Sequence, residues 1–342
     1  MLKSDYRKEM LNNWAKQCLM DRGMTISDSL QFNIISGDAS FRRYFRMESI
    51  FSYIFVDVPP EKEDCKKFVD LATLISGTGL NAPIIFDSDL ELGFLMISDL
   101  GSTLYLDRLE SGSEKEIQKL YEDSFTALLR LQQIKCDLPN FDQDLLLEEM
   151  NLFPEWFLKR ELQIFDYEES GFQEVLELML LNAEEQPKLF VHRDYHCRNL
   201  MVTRENNPGI IDFQDAVIGP VTYDLVSLLK DCYHRFSFEQ VRIWVEIYRE
   251  RLIATGVIDN TISKEKFFRW FELMGFQRHL KCAGIFSRLH LRDSKERYLP
   301  DIPLVIRYML DLQERYDELQ RFCSWIEERV MPKLKARRFL RL

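Results

Sequence analysis

Apolar and polar residues alternate from Phe32 to Phe55, around a turn at Gly37-Asp38-Ala39-Ser40. A period of two is the mark of strands with one buried face, so this stretch predicts a β-meander. Residues 5–22 ahead of it carry a helical pattern. Pro59-Pro60 ends the last of these strands, and Glu61 to Gly77 then sets Phe68, Leu71, Leu74 and Ile75 on one face of a helix. Ala82–Phe86 and Gly93–Ile97 read as two more strands, with Asp87-Ser88-Asp89 as the turn between them. From Ser102 the spacing becomes helical, over Leu104–Leu109, Glu114–Gln133, Leu145–Leu162, Phe172–Leu181, Val221–Cys232, Phe238–Ala254, Lys264–Arg288, Pro303–Leu310 and Leu312–Arg329. Short apolar strands at Leu189–Val191, Leu200–Val202 and Ile210–Ile211 interrupt it. The pattern predicts an α+β chain: an antiparallel sheet with one helix packed on it over residues 1–100, and a helical region over 101–342, joined near Ser98–Gly101. There is no Gly/Ser-rich linker and no internal repeat.

Composition narrows the classes. The chain has 342 residues, enough for two lobes, and its 46% apolar and 30% charged content is ordinary for a folded protein. A net charge of -11 gives no reason to expect nucleic acid, which wants a positive surface. Seven cysteines (Cys18, Cys65, Cys136, Cys197, Cys232, Cys282, Cys323) lie scattered, with no Cys-x-x-Cys pair. That fits reduced thiols and a cytoplasmic location better than a zinc site or a disulfide framework. No apolar run approaches the ~20 residues that span a bilayer, and the N-terminus shows no apolar leader core, so no membrane partner is expected.

The chemistry concentrates in Val191-His192-Arg193-Asp194-Tyr195-His196-Cys197-Arg198-Asn199-Leu200, followed by Gly209-Ile210-Ile211-Asp212-Phe213. An Asp, an Asn and a second Asp on short strands and their turn are what phosphoryl transfer from a nucleotide requires. Asp194 would accept or orient the substrate hydroxyl, and Asn199 and Asp212 would hold magnesium against the donor phosphates. Each has a plain alternative: a loop aspartate bonding nearby amides, a turn asparagine, a bulge or cap. His192 reads as a brace for the backbone around Asp194, and Asp224 as a helix cap that also bonds that loop's amides. The turn before Phe41 can offer amides and the Ser40 hydroxyl to phosphates, with Gly37 and Asp38. Arg42, Arg43 and Arg46 add positive charge in an acidic chain that must still attract anionic ATP. Alternation sends Arg42, Tyr44 and Arg46 to one sheet face, and Arg43 and Phe45 to the other. Arg278, His279 and Lys281 are candidates to face a polar or anionic substrate, against the alternative of a charged helix surface. Phe153, Trp156 and Phe157 recur at helical spacing, which favours core packing over a sugar-stacking platform.

With these motifs the chain resembles the aminoglycoside phosphotransferase and choline kinase family over nearly its whole length. Gly37–Tyr44, Val58-Pro59-Pro60, Gly93-Phe94-Leu95, Val191–Met201, Ile211–Ala216, Gly219–Leu228 and Gln277–Arg288 look closer still to one branch, the N-acetylmuramate/N-acetylglucosamine kinases of peptidoglycan recycling. The resemblance implies a protein-kinase-like two-lobed fold, with a small antiparallel β-rich N-lobe and a large mainly helical C-lobe. It implies ATP and Mg2+ as cofactors, a small-molecule sugar as partner, a monomer or weak dimer, and transfer to an anomeric hydroxyl giving the α-1-phosphate. Asp194 would match the family's catalytic Asp, Asn199 and Asp212 its metal ligands, and Ser98, Asp99 and Leu100 the hinge that binds adenine. Two departures stand out. Ser52–Asp57 lacks the family's phosphate-binding strand lysine, for which Arg42 or Arg43 is the candidate replacement. The metal motif reads Asp-Phe-Gln-Asp, which makes Asp215 a candidate carboxylate either for the substrate or for support behind the metal ligands. An aminoglycoside or choline-like acceptor, or a non-catalytic pseudokinase scaffold, are the competing readings.

Overall fold

The computed structural model describes residues 6–24, 33–36, 41–47, 52–167 and 170–337. The expected phosphate turn, with Gly37, Asp38 and Ser40, lies outside the described residues. The chain divides into two compact units.

The first unit takes in residues 1–105, 114–127 and 199–214. Its centre is an antiparallel sheet of β1 (Asn33–Ser36), β2 (Arg43–Met47), β3 (Tyr53–Asp57), β4 (Ile85–Asp89) and β5 (Phe94–Ser98), in the order β1-β2-β3-β5-β4. Helix α1 (Tyr6–Asp21) buries Leu11, Ala15, Cys18 and Leu19, which fall on one stripe by helical spacing. The stripe packs on Phe45, Met47, Phe55, Phe94 and Met96 of the sheet. Arg7 of α1 donates through Nε to the fully buried carboxylate of Asp57 at 2.8 Å, and Arg43 reaches the other oxygen of the same carboxylate at 2.9 Å. Helix α2 (Cys65–Ser76) starts where Asp64 accepts the Lys66 amide at 2.8 Å, and buries Phe68, Leu71, Ala72 and Ile75.

The fourth strand differs from expectation: Asp87, Ser88 and Asp89 lie inside β4 rather than in a turn. Pro83 has no amide hydrogen to give a ladder, which delays the strand. The reversal comes at Leu90–Gly93, where Asp89 accepts the Leu92 amide at 2.8 Å and Gly93 takes a φ of 71°. A side chain at Gly93 would sit 1.9 Å from the Val58 carbonyl oxygen, so only glycine permits that approach.

The second unit comprises residues 106–113, 128–198 and 215–342. Helix α3 (Tyr105–Ser111) begins at the boundary, and α4 (Glu114–Gln132) has residues in both units. Next come α5 (Gln143–Leu152), α6 (Phe172–Glu184), β6 (Lys188–Val191), the hairpin strands β7 (Leu200–Met201) and β8 (Gly209–Ile210), which belong to the first unit, and β9 (Val217–Pro220). Helices α7 (Tyr223–Leu229), α8 (Phe238–Ala254) and α9 (Lys264–Asp293) follow, then α10 (Ile302–Leu310), α11 (Asp317–Trp325) and α12 (Met331–Ala336).

The 30-residue α9 is the axle of this unit, packing against α5, α7, α8 and α10. Ser263 starts it by accepting the Lys266 amide at 3.1 Å. It runs past the expected Arg288 to Asp293, because no proline interrupts it and Ser294 closes it at a φ of 55°. The single helix expected over Leu145–Leu162 changes register instead. At Pro154, whose ring excludes the usual bond, residues Phe153–Glu161 adopt wider π turns. The helix expected from Leu312 begins only at Asp317, and that expected from Val221 only at Tyr223.

Gly284 is where α9 crosses α5: a Cβ there would lie 2.4 Å from the Leu152 carbonyl carbon and 2.5 Å from its oxygen. At Gly275 the nearest atoms would be 3.7 Å away. Alanine favours helices over glycine by about 1 kcal/mol, but overpacking costs about 1–3 kcal/mol. Gly284→Ala should therefore destabilise in urea titration, while Gly275→Ala is neutral or stabilising. Equal effects from the two would show that this crossing is looser than described.

Candidate active site

In the second unit, β6 pairs with β9 from Lys188–Pro220 to Val191–Val217 and delivers the chain into the His192–Arg198 loop. Arg193 is the loop's pivot. It takes a left-handed φ of 75°, a costly conformation for a side-chain-bearing residue, and is held there from several directions. Its amide donates to Asp224 Oδ1 at 3.0 Å, beside the His192 amide on Oδ2 at 2.6 Å. Its carbonyl accepts from Arg278 at 3.0 Å, and its guanidinium is paired with Glu149. The Asp224 carboxylate is fully buried, and burial pushes it up to about 7 against the two amides, which favour its charged form. Asp224 lies in the first turn of α7 without capping it; Thr222 holds the cap position, with no side-chain cap. The Asp194 amide donates to the His192 ring at 3.3 Å.

Asp194 is thereby presented half-buried, with its carboxylate 3.7 Å from the guanidinium of Arg278, itself only 3% exposed. Burial would raise Asp194, but Lys281 and Arg278 outweigh it and hold the carboxyl well below the usual carboxylate range. Lys281 is in turn fixed by Glu149 at 2.8 Å and by the Tyr223 hydroxyl at 2.9 Å. Glu149 also accepts from Tyr223 at 3.1 Å and from Gln277 at 3.0 Å. One buried carboxylate on α5 thus ties together the loop, α7 and two turns of α9.

Arg278 faces Asp194, whereas His279 points elsewhere. Its ring stacks on Tyr308 at 4.7 Å and 6°, its Nε2 lies 3.0 Å from the Lys230 carbonyl, and burial pushes it down to about 3. Neutral and enclosed, it is a core residue with no open face for a substrate. Phe153 and Phe157 are fully buried, as core packing demands. Asp215 is exposed.

In the first unit, the β7–β8 hairpin pairs Leu200 with Ile210 and brings Asn199 and Asp212 together, the amide nitrogen 3.2 Å from Asp212 Oδ2. Asp212 takes a φ of 66° and also accepts from Gln214 at 2.8 Å. Which end of an asparagine amide is oxygen is an assignment, so this pair offers hard oxygen donors on one edge. Two such ligands suit magnesium, which keeps waters and phosphate oxygens for its remaining positions. Among the described residues no group of three or more His, Cys, Asp or Glu could enclose a metal ion.

Ser98 exchanges bonds with Ile84: its amide donates to the Ile84 carbonyl at 2.9 Å, and its hydroxyl accepts the Ile84 amide at 2.9 Å. Asp99 binds Arg46 in bidentate fashion at 2.6 and 2.9 Å and accepts from Ser52 and the Gly101 amide, while Leu100 lies beside Gly209. Arg43 turns to the α1 side and is occupied by Asp57; Arg42 is buried and ion-paired with Glu63 at 2.8 Å. Glu149 and Glu63 were missed from sequence. Glu149 had a signal, for it shares the helical stripe of Leu146, Met150 and Phe153 and so had to be buried. Glu63, in a run of charged residues, had none.

Residues 31–258 match the family described as "Phosphotransferase enzyme family". The chain belongs to that family. It is 41% identical over 327 residues to the N-acetylmuramate/N-acetylglucosamine kinase of Pseudomonas aeruginosa, covering 93% of this chain and 95% of that one. In structure it is similar to an ethanolamine kinase of Plasmodium vivax, with a TM-score of 0.63 and 12% identity over 90% of this chain and 96% of that one. It also matches the streptomycin-ATP-APH(2")-IIa ternary complex, with a TM-score of 0.58 and 18% identity over 94% and 99% of the two chains. The phosphotransferase therefore has the kinase-like fold that its motifs implied. No described helix is long and apolar enough to cross a membrane.

Removing Glu149 would strand the buried Lys281 and the half-buried Arg193. Glu149→Ala should cost about 3–5 kcal/mol of stability, read as a lower urea midpoint. A midpoint matching the parent protein would mean that the network carries no net free energy.

Proposed function

We propose that the protein is an ATP-dependent kinase of N-acetylated amino sugars, acting in peptidoglycan recycling. It transfers a phosphoryl group to the anomeric hydroxyl of N-acetylmuramate or N-acetylglucosamine and yields the α-1-phosphate. The observation that carries the reading is the 41% identity, across 93% of this chain, with a protein of that name.

In this reading Asp194 accepts the hydrogen bond of the C1 hydroxyl and takes its proton as the phosphoryl group departs. Asn199 and Asp212 would hold Mg2+, which when bound would neutralise charge on the donor phosphates. Lys281 and Arg278 keep Asp194 ionised and make it a weak base. An anomeric hydroxyl is more acidic than an ordinary alcohol, so a weak base is enough. The same two cations work against a positively charged acceptor of the choline or aminoglycoside kind.

Purified protein with Mg-ATP should phosphorylate either sugar, and phosphorus NMR of the product reports position and anomer together. No consumption of ATP with either sugar would sink the assignment. Asp194→Asn should keep ATP affinity and lower kcat by about 10²–10⁴-fold. The pH dependence has a definite sign. The base works when ionised, and its pKa is depressed, so kcat/KM should hold steady through the mildly acidic range. Arg278→Gln removes a cation, raises the Asp194 pKa and moves the acid limb to higher pH. An acid limb unmoved in that variant would separate Arg278 from the ionisation of Asp194.

A further inference from the structure

The β3 segment Ser52–Asp57 offers no lysine to the donor phosphates, and the cations on β2 and just before it are three arginines. The structure separates them. Arg43 lies on the α1 side, where its guanidinium and that of Arg7 share the buried Asp57 carboxylate. Arg46 is clamped by both oxygens of Asp99 and by the Gly101 carbonyl at 2.6 Å. Arg42 is different. Though a guanidinium, it is only 4% exposed, paired through Nε with Glu63 at 2.8 Å and seated over the Phe68 ring at 5.4 Å. Phe68 stacks on Phe213 at 5.1 Å and 29°, and Phe213 follows Asp212 directly. The Tyr44 phenol, on the same strand face, feels the charges of both Arg42 and Asp212. Glu63 also accepts the Phe41 amide at 3.0 Å, and so fixes the backbone at Phe41 as well as the side chain of Arg42.

Resting on the kinase reading, we propose that Arg42, braced by Glu63, is the side chain that grips the phosphate oxygens of the nucleoside triphosphate in place of the absent strand lysine. In protein kinases the strand lysine does this while ion-paired to a helix glutamate. Here the glutamate stands just before the α2 cap, and the cation comes from the neighbouring strand. A guanidinium suits the task because its five donors form a planar fork that matches carboxylate and phosphate oxygens alike. The Phe68–Phe213 stack links that fork to the Asp212 segment within one unit.

Calorimetric titration of ATP, ADP and adenosine into the full chain and its variants tests this without any sugar present. Arg42→Gln should weaken ATP by about 10- to 100-fold, the range of a charge-assisted bond, and leave adenosine unchanged. Arg42→Lys should recover part of the loss. Glu63→Gln leaves the guanidinium in place but unclamped, and should lower the ATP-to-adenosine affinity ratio more mildly. This second variant decides the matter should Arg42→Gln fail to fold. A ratio equal to that of the parent in a folded variant overturns the proposal. A parent protein that binds ATP but consumes none with sugar sinks the acceptor assignment alone and leaves the arginine comparison standing.

Discussion

The buried carboxylate of Glu149 is the constraint on which the helical unit depends. A lone charge at that depth would be prohibitively unstable. It is tolerated because Lys281, Arg193, Tyr223 and Gln277 all donate to it. These donors belong to α9, α7 and the loop after β6, so satisfying one acceptor fixes the spacing of three elements. Arg193 can therefore persist in a left-handed conformation, and Asp194 is delivered beside Arg278 in one orientation. Folding stability and the placement of the proposed base are one and the same network.

The first unit handles charge by a different rule. Each β2-side arginine is matched to its own carboxylate: Arg42 to Glu63, Arg43 to Asp57, Arg46 to Asp99. An acidic chain that must attract a polyphosphate cannot rely on its overall field, and local pairing keeps the guanidiniums aimed without leaving buried charge unbalanced. The strand face decides which arginine goes where, and alternation along β2 is what separates Arg43 from Arg46.

Much of this was legible before any coordinates. The alternation from Phe32 to Phe55 showed that a meander stands where β1, β2 and β3 lie, without bounding the strands; β5 was placed to within one residue, and the helix spacing matched α8 at its observed bounds. The Asn199–Asp212 pairing was open to reading, because the short apolar runs beside them could close as a hairpin, as β7 and β8 do. Illegible were features set by tertiary context. The delay of β4 depends on Pro83 and on the approach of Gly93 to Val58, and the widened turns after Phe153 depend on Pro154 in a packed setting. The enclosure of His279 could not be read from a charged run either, since Arg278, His279 and Lys281 look alike in sequence and only the packing of α9 sends them to different neighbours. Glu63 was hidden among solvated residues, because an ion pair across 21 positions leaves no local trace.

The clasp between α1 and the sheet has a consequence for how the chain can be shortened. Arg7 reaches Asp57 and the Leu92 carbonyl, and the same helix covers Phe45, Phe55 and Phe94. A protein begun after Asp21 would keep every motif of the phosphotransferase. It would also bare an aromatic sheet face to water and leave the Asp57 carboxylate to a single arginine. Such a truncation invites self-association through that face, so the opening helix belongs to the sheet's core as firmly as any strand does.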